Sequence, residues 1–159
     1  SNRVQNMMLL YDKLYQSTDF RQIPVKDYIP QLVDEIIDNF PNRSQVKIIK
    51  QVDDFIIDGK ILQPLGIIIN ELITNIMKYA FKGRSKGLIT VKASREGDRI
   101  ILEVRDNGVG MPEPVNYKNI TGFGLMLVEM LTEQIGGTLR IERDNGTGII
   151  IESDVIHET

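Results

Sequence analysis

Apolar residues recur at helical spacing in some stretches of the chain and alternate with polar residues in others. The longest helical run lies between Gln63 and Phe81, where Leu65, Ile68, Ile69, Leu72, Ile73, Ile76 and Met77 share one period. It predicts a central helix over Leu62–Phe81, with Pro64 in its first turn. A second clean stripe, Ile29, Leu32, Val33, Ile36, Ile37 and Phe40, predicts a helix over Val25–Phe40. Phe123, Leu127, Met130, Leu131 and Ile135 predict a third over Gly122–Ile135, stopped by Gly136-Gly137. Near the start, Val4, Met7, Tyr11 and Leu14 alternate spacings of three and four, the seam of a helical bundle, over Ser1–Ser17. So short a helix needs a partner for its apolar face. The partner is either this domain's own core or the other half of a dimerisation hairpin.

Thr18–Pro24 reads as a connector, and strands follow at Val46–Val52 and, briefly, Phe55–Ile57. Leu88–Arg95 and Arg99–Arg105 form a hairpin through Glu96-Gly97-Asp98. Leu139–Arg143 and Gly148–Ser153 form another around Asp144-Asn145-Gly146. Hairpins argue against a doubly wound parallel sheet. The expected fold class is α+β: a two-layer sandwich of a mixed, mostly antiparallel sheet with helices on one face, plus the N-terminal helix. Between sheet and last helix, Asp106–Thr121 is rich in Gly, Pro and Asn and has no apolar period. A loop of that length inside a compact domain is usually functional or disordered.

Composition narrows the chemistry. The 159 residues suffice for one domain with a real core, and 42% hydrophobic with 26% charged residues is ordinary for a soluble protein. A net charge of −3 disfavours a nucleic-acid partner. The absence of cysteine rules out thiolate chemistry, and a single histidine, His157, rules out multi-histidine zinc sites. No apolar run approaches the ~20 residues of a membrane-spanning helix.

Three motifs carry candidate chemistry. Within the central helix, Glu71 and Asn75 stack one turn apart, and Lys78 lies one turn further along the same stripe. An amide oxygen can bind a hard cation, an ammonium can meet phosphate and a carboxylate can accept a proton. On its own such a face is most often simply solvated. Next, a strand delivers Asp106 into Asn107-Gly108-Val109-Gly110. Asp106 could accept from an exocyclic amine such as that of adenine, and the glycines would let backbone approach a flat ligand closely. Last, Thr121-Gly122-Phe123-Gly124-Leu125 opens a helix, where free amides can bind phosphate. Each is weak alone.

In that order, E-x-x-x-N-x-x-K-Y, D-N-G-V-G and T-G-x-G-L resemble the N-box, G1 box and G2 box of the ATP-binding domain of sensor histidine kinases. These belong to the Bergerat-fold superfamily, with type II topoisomerase, chaperone and mismatch-repair ATPases. The resemblance covers about Pro24 to Ile156, and the N-terminal stretch, with Leu14-Tyr15-Gln16-Ser17, is similar to the second helix of a dimerisation hairpin in one short-lid subfamily. It divides the chain into residues 1–18, the end of that hairpin, and residues 24–159, the ATP-binding catalytic domain.

The resemblance implies two cofactors, ATP and Mg²⁺, and a role for each matched residue. Asn75 would coordinate Mg²⁺, Glu71 would act as general base or orient the attacking group, and Lys78 would contact phosphate. Tyr79 would line the nucleotide pocket. Asp106 would accept from the adenine amine, with Gly108 and Gly110 shaping the adenine wall and Thr147 nearby. Met111–Thr121 would be the lid, with Lys118 its only basic residue, and Gly122, Gly124 and Leu125 would offer amides to phosphate. Implied partners are a response regulator receiver domain and a second copy of the chain, in a cytoplasmic setting. The phosphate-accepting histidine would precede Ser1, and His157 matches no family position. An ATPase of the same superfamily and a degenerate binding module are the competing readings.

Overall fold

The structure is a computed structural model that describes residues 22–110 and 123–154. The helix expected over Ser1–Ser17, the lid with Lys118, Gly122 and His157 lie outside the described residues.

The described part begins with a two-residue strand, β1 (Ile23–Pro24), that runs into helix α1 (Val25–Ile37). A short 3₁₀ turn (Arg43–Gln45) leads into β2 (Val46–Val52), followed by β3 (Ile56–Ile57). Helix α2 (Gly59–Asn75) continues as one widened π turn (Ile76–Ala80). The hairpin β4 (Gly87–Glu96) and β5 (Arg99–Asp106), helix α3 (Phe123–Gln134), and the hairpin β6 (Thr138–Glu142) and β7 (Thr147–Asp154) complete the fold.

The main sheet has the order β2-β4-β5-β7-β6, parallel only between β2 and β4 and antiparallel elsewhere. This is the expected α+β sandwich. Period-two alternation sends Ile89, Val91, Ala93, Ile100, Leu102, Val104, Ile149 and Ile151 toward the helices, where they meet Leu62, Leu65, Ile69, Ile73 and Val128. The opposite face carries Lys92, Glu103, Arg105, Arg140 and Glu142. Helix α1 packs on α2 and β2, and α3 also packs on α2. Beyond its first turn the central helix is therefore buried around most of its circumference, and the polar residues Asn70, Glu71 and Thr74 are buried with it.

Several boundaries differ from the sequence pattern for identifiable reasons. Helix α2 begins at Gly59, before the expected Leu62: the Asp58 carboxylate accepts the Lys60 backbone N–H at 2.9 Å, which caps it. Pro64 therefore lies inside the helix and not in its first turn. Regular α winding stops at Asn75, before the expected Phe81, and gives way to the π turn. Helix α1 ends at Ile37, with Phe40 in the turn beyond it. Part of the expected connector forms a strand pair instead, Ile23 with Ile57 and Pro24 with Ile56.

Candidate functional site

Polar residues cluster on one stretch of α2. Asn70, Glu71 and Thr74 are buried, at 5%, 4% and 1% exposure, in the middle of an otherwise apolar helix. Carboxylates are almost never this buried unless paired. Asn70 Nδ2, Thr74 Oγ1 and Asn75 Nδ2 are buried without a hydrogen-bond partner. Each such atom costs about 1–3 kcal/mol, and native buried polar groups almost always have partners. This part of α2 is built to meet water or a polar ligand.

The π turn then changes the geometry. Lys78 and Tyr79 are exposed, Tyr79 by 48%, while Glu71 is buried. The expected single stripe of Glu71, Asn75 and Lys78 assumed uninterrupted α winding. The wider turn rotates Lys78 off that line, and π turns of this kind frequently mark functional sites. The Lys82 ammonium lies 5.4 Å from the centroid of the Tyr79 ring.

Asp106 ends β5 on the helix-facing side, in register with Ile89 and Thr147. It is buried, and its Oδ1 accepts the Gly108 N–H at 2.8 Å. Burial pushes the carboxyl above its ordinary value, opposed by bonds from the backbone amides of Gly108 and Thr147 and by the charges of Arg84 and Arg105. Thr147 is buried beside it at the start of β7.

The glycines after Asp106 serve the protein first. A Cβ on Gly108 would fall 2.2 Å from the Ala80 carbonyl oxygen. The Val109 N–H donates to that same oxygen at 2.8 Å. Gly108 thus lets the loop seat on the end of the π turn, so the close approach expected for a flat ligand is here made to Ala80. Gly110 does need glycine's freedom, with φ +78°, and faces Gly146.

Sequence reasoning overlooked the parts that hold this loop. Asn107 Oδ1 accepts the Leu88 N–H at 2.8 Å, and the Asn107 N–H donates to Leu88 O at 3.2 Å. Arg84 Nη1 donates to the Asn107 carbonyl at 2.7 Å. Gly146, φ +122°, packs so tightly that a Cβ would lie 2.1 Å from Asp106 O. The Asp-Asn-Gly turn signal contained Asn107, but nothing local pointed to Arg84 or to Gly146 as its neighbours.

On α3, Leu125 is buried at 2% exposure in the first turn, which also contains Gly124. The first-turn amides of a helix have no partner within it. The structure thus joins the end of α2, the Asp106 loop and the β6–β7 tip directly, with α3 packed alongside α2. Among the described residues no group of three or more His, Cys, Asp or Glu could hold a metal. Mg²⁺ binds protein through few ligands and completes its shell with water and phosphate, so a lone Asn75 oxygen fits that role and an all-protein cage does not.

Comparison with known proteins gives this arrangement a family. The family described as histidine kinase-, DNA gyrase B- and HSP90-like ATPase matches residues 61–155. The chain belongs to that ATPase family. A second family, described as histidine kinase, matches residues 1–40. Blue-light-activated histidine kinase 2 of Erythrobacter litoralis is 27% identical over 161 residues, covering 98% of this chain and 46% of that protein. The sensor histidine kinase PdtaS of Mycobacterium tuberculosis is 26% identical over 157 residues, covering 96% of this chain and 31% of its own length. The chain thus spans less than half of either relative. The histidine kinase domain from the Erythrobacter litoralis EL346 blue-light activated histidine kinase superposes with a TM-score of 0.84 at 22% identity, covering 97% of this chain and 74% of that one. Acinetobacter baumannii histidine kinase AdeS does so at 0.70 and 14%, covering 98% and 77%. The Bergerat-fold domain described here is therefore an ATP-binding catalytic domain of the histidine kinase type.

Proposed function

We propose that this domain binds Mg²⁺–ATP and, within a longer protein, transfers the γ-phosphoryl group to a histidine upstream of Val4. One observation supports the reading above the others. Buried Glu71 and the unpartnered amide of Asn75 sit on the helix whose end, at Ala80, seats the loop carrying Asp106. Phosphates over α2 and adenine against Asp106 then fall to one ligand.

Each residue has a role in this proposal. Asp106 accepts from the adenine amine, with Gly108, Gly110 and Thr147 forming the wall beside it. Tyr79, half exposed at the end of α2, covers the nucleotide, and Lys78 meets phosphate. Gly124 and Leu125 present amides at the start of α3, and Gly122, which precedes it in sequence, would add another. Asn75 would hold Mg²⁺, which when bound neutralises the phosphate oxygens. Glu71 accepts the proton from the attacking imidazole or orients it. Phosphoryl transfer is chiefly positioning and electrostatics, so a small set of fixed groups suffices.

The match of residues 1–40 to a histidine kinase family supports a homodimer through the helices preceding this domain. The phosphohistidine would pass its group to a response regulator receiver domain, in the cytoplasm. No described helix is long and apolar enough to cross a membrane.

A second reading has its own support. A buried carboxylate at Glu71 could activate water, giving an ATPase that closes a dimer. Labelled ATP distinguishes the two in the longer protein. Label on an upstream histidine, lost when that histidine is replaced, supports the kinase. Steady phosphate release by this chain alone, abolished by Glu71→Ala, supports the ATPase.

A further inference from the structure

The face of the sheet turned away from the helices carries a row across four strands: Thr90 on β4, Arg105 on β5, Gly148 on β7 and Glu142 on β6. Arg105 immediately precedes Asp106, and by strand alternation it points to the opposite face. Its Nη2 reaches Glu142 Oε1 at 2.5 Å, crossing β7 to do so. It can cross because the residue in between is glycine. A Cβ on Gly148 would lie 2.6 Å from the guanidinium carbon. Arg105 Nε also donates to Glu103 at 3.2 Å, and Arg140 supports Glu142 at 3.4 Å. The arginine therefore fastens β5 to β6 at the level of the hairpin tip.

That tip bears on Asp106. Gly146 approaches the Asp106 backbone so closely that no side chain fits between them, and Thr147 is the register partner of Asp106. Where the tip sits decides where Asp106 and Thr147 sit. We propose that Arg105, stretched over Gly148 onto Glu142, is a positioning residue for adenine recognition, holding the β6–β7 tip against the end of β5. The proposal rests on the nucleotide-binding reading above. Isolated surface ion pairs contribute little. This one is forked and networked, and it acts on the geometry of a neighbouring site.

The test is calorimetric titration of the chain with non-hydrolysable ATP and GTP analogues, alongside thermal melting, for wild type, Arg105→Lys, Arg105→Gln, Gly148→Ala and Glu103→Gln. Asp106 can accept from the amine of adenine but repels the carbonyl of guanine, so the ratio of the two affinities reports its placement. Arg105→Gln is expected to weaken the ATP analogue about five- to tenfold, a loss the size of one hydrogen bond, with GTP unchanged or slightly tightened as the repulsion relaxes. Gly148→Ala should do the same by displacing the flexible end of Arg105 while leaving the sheet paired. Arg105→Lys should recover part of the ratio, and Glu103→Gln, which leaves the crossing to Glu142 intact, should stay within about twofold of wild type. A wild-type ratio in both Arg105→Gln and Gly148→Ala overturns the proposal. So do equal losses for both nucleotides with a lowered melting temperature, which would mark sheet stability alone. A wild type that binds neither nucleotide refutes the underlying reading and this one with it.

Discussion

Replacing Gly108 with alanine should damage both stability and nucleotide binding, for reasons the geometry specifies. Gly108 does not have a positive φ, so alanine's backbone preference is not at issue. The obstacle is space: the new Cβ would fall 2.2 Å from Ala80 O and 2.7 Å from Ala80 Cβ. A relaxed C···O contact is about 3.3 Å or more, so loop and helix end must part by about 1 Å. Overpacking of this kind costs about 1–3 kcal/mol. The Val109–Ala80 hydrogen bond adds about 1 kcal/mol. A total near 3 kcal/mol lowers the melting temperature by roughly 10 °C in a domain of this size. The Asp106 turn moves with the loop, and misplacing one charged hydrogen bond weakens nucleotide binding by about 10- to 100-fold. Differential scanning calorimetry and titration with an ATP analogue measure the two effects. Gly97→Ala is the control. Gly97, on the β4–β5 turn, has φ +60° and open space around it, so alanine there costs about 1–2 kcal/mol of backbone strain and leaves affinity alone. A Gly108→Ala protein with wild-type melting and wild-type affinity would refute the reasoning.

Other expectations follow from the same site. Asn75→Ala removes a buried amide nitrogen that has no partner, so melting should shift by no more than about 2 °C, while Mg²⁺-dependent affinity for the ATP analogue falls about tenfold or more. Titrations with and without Mg²⁺ separate these. Asp106 should give two opposite slopes with pH. Its folded-state value is raised by burial, so between the ordinary carboxylate value and the raised one the native state holds a proton the unfolded chain has lost. Stability of the nucleotide-free domain falls as pH rises through that window, whereas binding of adenosine, which needs the ionised carboxylate, strengthens. Asp106→Asn should flatten both slopes. Glu71→Gln should keep the affinity for the ATP analogue and slow histidine phosphorylation in the longer protein by about 100-fold or more, read in a single-turnover assay.

Most of the framework was legible because it is periodic. The three described helices, both hairpins and the layer architecture follow from spacings of 3.6 and 2. Three motifs, each weak alone, became specific through their order along the chain. What escaped is non-local or aperiodic. The two-residue strand Ile23–Pro24 is too short to carry a period, and its pairing with the expected strand at Ile56–Ile57 is non-local. The parallel pairing of β2 with β4 spans a whole helix. The π turn at Ile76–Ala80 is built from residues that also fit an α pattern, so nothing in the sequence flagged where Lys78 leaves the Glu71–Asn75 line. Gly108 advertised a close approach without saying to what, and the partner is Ala80. Arg105 entered only as the last residue of a predicted strand, and its meaning depends on Gly148 and Glu142, brought beside it only by the sheet.

The claim on which the rest depends is that Glu71, Asn75 and Asp106 border one site for Mg²⁺–ATP. Calorimetric titration of this chain with a non-hydrolysable ATP analogue in Mg²⁺, repeated with the GTP analogue and with Asp106→Ala, tests it most directly. The account predicts saturable heat for the ATP analogue, much weaker binding of the GTP analogue, and an Asp106→Ala protein that stays folded and loses the preference. No heat of binding to a folded wild type, or equal binding of both nucleotides unaffected by Asp106→Ala, would contradict it.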